Sequence, residues 1–122
     1  MIETEKSVIT ALENSLSEIV GNKVFRWSVP SEYADDYPYI RVSELNNIDS
    51  DYRDNKATSG NVDIQIDFWT LNEPETIQNE INETMESLGY ARTLVTPVFE
   101  EDTRALRKAM RYRIKKILKE DL

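Results

Sequence analysis

A chain of 122 residues is long enough to bury a core as one domain without covalent staples. It contains no cysteine and no histidine, which removes disulfides, thiol nucleophiles, thiolate and imidazole metal sites and the commonest general base. The net charge of −8 is unevenly spread: residues 1–102 carry 21 acidic and 7 basic side chains, whereas residues 103–122 carry 8 basic and 2 acidic.

The amino terminus, MIETEKS, has no basic-then-apolar grading, and no run approaches the length that spans a bilayer. A soluble protein made in a cytosol is expected. Over residues 4–20, Ile9, Leu12, Leu16, Ile19 and Val20 form one helical stripe, with Glu3, Glu5, Glu13 and Glu18 on the surface and Gly21-Asn22 as the stop. Val24–Val29 reads as a strand ended by Pro30, with Phe25, Trp27 and Val29 on one side. Ser31–Pro38 is a polar loop and Tyr39–Leu45 a second strand, so the two strands are expected to form an open hairpin. Asn46–Ser59 is long and polar and predicts a mobile loop.

The strongest signal follows. Val62, Ile64, Ile66 and Phe68 alternate with Asp63, Gln65 and Asp67, which predicts a strand with one dry face. Asn72 as N-cap, Pro74 in the first turn and Glu75 at the capping-box position start a helix. Ile77, Ile81, Met85 and Leu88 draw its apolar stripe, and Gly89 closes it. Arg92–Phe99 reads as a short edge strand or a structured connection broken by Pro97. Residues 104–119 fit two periods. Leu106, Met110, Ile114, Ile117 and Leu118 make a helical stripe, while Met110, Tyr112 and Ile114 against Arg111, Arg113 and Lys115 make a strand.

No pattern marks a reaction centre. Asp49, Asp51 and Asp54 suggest a calcium loop, but Arg53 takes the fifth place, Asp54 the glycine position and Gly60 the place of the bidentate Glu. Asp35-Asp36 and Glu100-Glu101-Asp102 are paired carboxylates with no marked catalytic neighbour, and Glu101 or Asp102 before Thr103 is a place for the chain to turn. Gly21, Gly60 and Gly89 stand singly, so no phosphate-cradling loop is formed. No cofactor is expected. Trp69, on the polar face beside Asp63 and Asp67, is either a ring under a crossing loop or a protein contact. The basic end is a solvated face, or it complements the acidic body of another copy, or it binds nucleic acid. The acidic body weighs against the third reading.

The segments VFRWSVPSEYADDYPYIRV (Val24–Val42), NVDIQIDFWT (Asn61–Thr70) and VFEEDTRALRKAMRYRI (Val98–Ile114) resemble the tail terminator, or tail-to-head joining, proteins of long-tailed phages. The resemblance covers most of the chain. It implies a single α+β domain over residues 1–122, with two helices on one face of a mainly antiparallel sheet of about four strands in the order α-β-β-β-α-β. It also tips residues 104–119 toward strand. A non-enzymatic homo-oligomer is implied, a ring and in that family a hexamer, which caps the tail tube protein and meets a head-completion or connector protein. Assembly would take place in the host cytoplasm, with the product at the head-proximal end of the virion tail, without membrane or sequence-specific nucleic-acid binding. Interface candidates are Trp69, Asp63 and Asp67 on the exposed sheet face, Tyr52 and Arg53 in the long loop, and Arg107, Arg111 and Arg113 in the tail. Two other readings stand beside this one. The first is a small α+β adaptor or regulatory domain binding one protein; the second is a metal hydrolase using Asp49, Asp51 or Asp54.

Overall fold

The computed structural model describes residues 4–53 and 56–117, with the side chains of 48–53, 56–58, 116 and 117 outside the description. Its elements are α1 (Thr4–Ser15), α2 (Ser17–Val20), β1 (Val24–Arg26), β2 (Tyr39–Arg53), β3 (Lys56–Thr70), α3 (Glu75–Ser87), β4 (Ala91–Glu100) and β5 (Ala105–Ile117). The strands form one mixed sheet in the order β1-β2-β3-β5-β4, and the fold is α+β.

Alternation in β3 does what period two requires. Val62, Ile64, Ile66 and Phe68 are fully buried against Val8, Leu12, Ile77, Ile81 and Met85 of the helices. Ile40 and Val42 of β2 and Met110 and Tyr112 of β5 extend the same layer to either side. The helices are tied to each other by a Thr84 hydroxyl that donates to Ser15 Oγ at 2.8 Å. Val8, Leu12, Leu16 and Val20 carry the first apolar stripe inward, while Ile19 stays partly exposed. Gly89, at φ +93°, ends α3: the Gly89 N–H donates to Glu86 O and the Tyr90 N–H to Met85 O, each at 3.0 Å, which gives carbonyls of the last turn partners. At the other end of α3, Asn72 does not cap. Pro74 holds the cap position without a side-chain bond, and the Asn72 N–H is turned back to Thr70 Oγ1.

Two expectations are corrected, and one open choice is decided. The first two strands do not form a hairpin. β1 is only three residues long and runs parallel to β2, with Val24 opposite Ile40 and Arg26 opposite Val42. Parallel pairing needs the chain to travel back, and residues 27–38 supply that return, beginning at Trp27, where φ is +70°. Second, Asn46–Ser59 is not a loop between separate strands. β2 and β3 continue as one long hairpin until Arg53 pairs with Lys56. The register shifts after Glu44, Asp49 and Asp51, so apolar and polar residues lose the period that would have revealed a strand. The open choice falls to strand, as the resemblance implies: β5 pairs with β3 along twelve positions, from Ser59–Ile117 to Thr70–Leu106. Five strands and a short extra helix therefore stand where about four strands and two helices were expected. Pro97 lies in β4, an outer strand of ten residues, where a missing N–H is tolerated.

Candidate functional site

The second face of the sheet carries the polar halves of β2, β3 and β5. Because β3 is central, residues 63, 65, 67 and 69 meet neighbours on both sides: Asp67 lies between Arg41 and Ala109, Trp69 between Tyr39 and Arg107, Gln65 opposite Arg111, and Asp63 opposite Arg113. Period two thus gathers acids from β3 and arginines from β2 and β5 into a continuous ladder.

Asp67 is its centre. The residue is only 1% exposed, and both carboxylate oxygens are engaged. Arg41 Nη2 donates to Oδ2 at 2.8 Å, Arg107 Nη2 to Oδ1 at 2.9 Å, and Gln65 Nε2 to Oδ1 at 3.0 Å. Gln65 Oε1 in turn accepts from Arg111 Nε at 2.9 Å. Further along, Arg113 Nε donates to Asp63 Oδ1 at 2.7 Å. That hydrogen bond is the main reason the Asp63 carboxyl sits below its ordinary range, with a smaller contribution from the Asn46 amide. The same contact raises the Arg113 guanidinium.

An aromatic strip adjoins the ladder. Tyr39 stacks on Trp69 at 5.1 Å between centroids, Tyr37 stacks on Tyr39, and Phe25 bridges Tyr39 and Tyr33. Arg41 and Arg107 lie over the Trp69 ring at 5.2 and 5.5 Å. The Tyr39 hydroxyl donates to Ala34 O, and burial above all pushes its ionisation up to about 12. A cleft of about 440 Å³ opens here between the 28–37 segment and the β4–β5 corner, reaching Tyr37, Tyr39, Arg41, Trp69 and Glu100.

Six of the eight interface candidates, Asp63, Asp67, Trp69, Arg107, Arg111 and Arg113, therefore share one face, but their presentation differs from expectation. Trp69 is 8% exposed and Asp67 less, so neither is offered to solvent: the tryptophan is the covered ring, held under two guanidiniums and a tyrosine. Two residues of the basic segment find acidic partners within the chain. Arg107 and Arg113 pair with Asp67 and Asp63 of their own chain, because β5 lies beside β3. Tyr52 and Arg53 lie at the end of β2 opposite to Tyr39, and their side chains, like those of Asp49 and Asp51 and the whole of Asp54, are outside the described residues. Among the described residues no group of three acidic side chains is placed to hold a metal ion. No described helix is long and apolar enough to cross a membrane.

Glu5, expected on the surface, is buried and accepts from Arg26 Nε (3.0 Å), Trp27 Nε1 (2.9 Å) and the Glu44 N–H (2.8 Å). Nothing in the sequence around it distinguishes it from the other glutamates of the helix, since its partners lie 21 to 39 residues away.

Among the described residues the fold is a two-layer α+β domain with α1, α2 and α3 on one side of a five-stranded sheet. No protein-family profile and no curated protein matches the sequence. Twenty-eight chains of solved structures do match, and one of them belongs to the virion of a native gene transfer agent particle. It aligns with 92% of this chain and 96% of its own length, at a TM-score of 0.56 and 15% sequence identity. At that identity the likeness is one of fold.

Proposed function

We propose that this chain is a non-enzymatic structural protein of a phage or prophage tail. In this reading it closes the tail tube at its head-proximal end as a ring of copies and offers its other face to the head connector. The observation that carries the reading is the virion chain, whose fold coincides with nearly the full length of both proteins. The phage-tail resemblance of Val24–Val42, Asn61–Thr70 and Val98–Ile114 adds the terminator role and the hexamer.

Physical features of the domain agree with such work. A ring uses heterologous contacts, in which one patch meets a different patch on the next copy. Here the sheet ends in two different outer strands, the three-residue β1 and the ten-residue β4. The ladder through Asp67 and Asp63 stiffens the sheet between them. A cap blocks further addition of tube subunits, so deleting the gene from its phage or prophage should give tubes of uncontrolled length and heads without tails in negative-stain micrographs. Particles with tails of normal length and normal attachment would overturn the reading.

A further inference from the structure

Among the described residues two other than glycine, Trp27 and Arg104, have a left-handed backbone, and each stands beside a different outer strand of the sheet. A left-handed tryptophan is strained unless its surroundings hold it. Trp27 is held firmly: its N–H donates to Val42 O at 3.0 Å, its indole N–H donates to the buried Glu5, and Arg26 lies over its ring at 4.5 Å. Yet the residue is 63% exposed and belongs to no core cluster. The fold fixes a large aromatic side chain in one orientation and directs it outward.

Beside the opposite outer strand is an open notch of about 620 Å³, between the β3–α3 turn and the β4–β5 corner. Leu71, Pro74, Phe99 and Leu106 line it, with Glu73 and Arg104 among its polar groups. Leu71 and Phe99 are 56% and 51% exposed, and the Arg104 guanidinium lies over Phe99 at 5.2 Å. Apolar walls suit an indole, and a guanidinium face suits its π-system. Glu73 in the notch wall offers a carboxylate to the guanidinium of Arg26, which lies on the Trp27 ring and pairs with Glu5 of its own chain.

The geometry points to a head-to-tail contact between copies of this chain, in which Trp27 of one copy enters the Leu71–Pro74–Phe99–Leu106 notch of the next. This deepens the proposed function and rests on its ring, naming the patches that join one copy to the next. Trp and Arg together at the centre of a small contact are what carries binding energy in protein interfaces. Since knob and notch occupy opposite sides of the sheet, each copy keeps one of each after the first contact forms, as a ring requires.

Sedimentation velocity of the full chain over a rising concentration series tests this, with wild type, Trp27→Ala and Leu71→Glu compared. Wild type is expected to gain mass. Each variant is expected to remain at one-copy mass, with self-association weakened at least ~30-fold, the size of a hot-spot loss. Circular dichroism checks that both variants are folded, and Leu71→Glu serves alone should loss of the Glu5 contact unfold Trp27→Ala. An equal mixture of the two variants is the sharpest arm. The alanine variant still has a notch and the glutamate variant still has a tryptophan, so the mixture should give a two-copy species and nothing larger. A mixture that stays at one-copy mass overturns the contact. Variants that assemble like wild type also overturn it and leave the ring standing. A wild type that stays at one-copy mass throughout removes self-docking, whereas failure of the tail role itself would show separately, as normal particles from the deletion strain.

Discussion

Asp67 of β3 and Arg107 of β5 meet on the diagonal, two residues off the direct register, with Arg107 Nη2 2.9 Å from Asp67 Oδ1, while Arg41 holds the other oxygen of the same carboxylate from β2. One nearly buried acid thus joins the three inner strands.

Replacing it should be costly for a stated reason. Asp67→Asn leaves two partly covered guanidiniums without their counter-charge, and removing one member of a buried ion pair typically costs about 3 kcal/mol. Urea unfolding should show that loss, and Asp63→Asn should show a smaller one, because Arg113 at that end of the ladder is more than half exposed. Equal effects at the two positions would mean that burial does not set the strength of the ladder.

Gly89 offers a local test. At φ +93° a side chain is strained, and an added Cβ would come to 3.4 Å from Ile114 Cδ1, an ordinary contact. Gly89→Ala should therefore cost the left-handed penalty alone, about 1–2 kcal/mol. A thermal melt that does not move would place the closure of α3 elsewhere.

Alkaline pH supplies a third. Burial pushes the Tyr90 phenol up to about 12, against about 10 in an unfolded chain. The neutral form is the one that the fold favours, so this contribution is complete below pH ~10 and is lost as pH rises toward ~12. Chemical denaturation across that window should fall less steeply for Tyr90→Phe than for wild type. Parallel slopes would show that the phenol ionises without penalty in the folded chain.

Reversing the charge of Arg113, one of the interface candidates, would have two effects. Arg113→Glu would remove a contact surface and also set a carboxylate opposite Asp63 of the same chain. Leu71, which is exposed, separates assembly from folding more cleanly.

Much of the fold is legible where one face of an element is dry. Val62, Ile64, Ile66 and Phe68 announce β3, Ile77, Ile81 and Met85 announce α3, and Gly89 marks where that helix ends, because burial imposes a period and a left-handed turn imposes a residue type. Composition alone also closes off thiol and imidazole chemistry. Only the tertiary structure decides what depends on partners distant in sequence. The direction of β1 turns on the return through residues 27–38, and the long hairpin is hidden by shifts of register. Periodicity leaves the helical and extended readings of residues 104–119 both open, and the edge that β3 offers decides it over Ala105–Ile117. The charges, too, read as free until strand order sets Arg107 and Arg113 beside Asp67 and Asp63, and Glu5 reads as surface until Trp27 and Arg26 fold onto it. Periodicity is a local property of a chain; pairing is not, and it is pairing that chose which side chains this protein hides and which it shows.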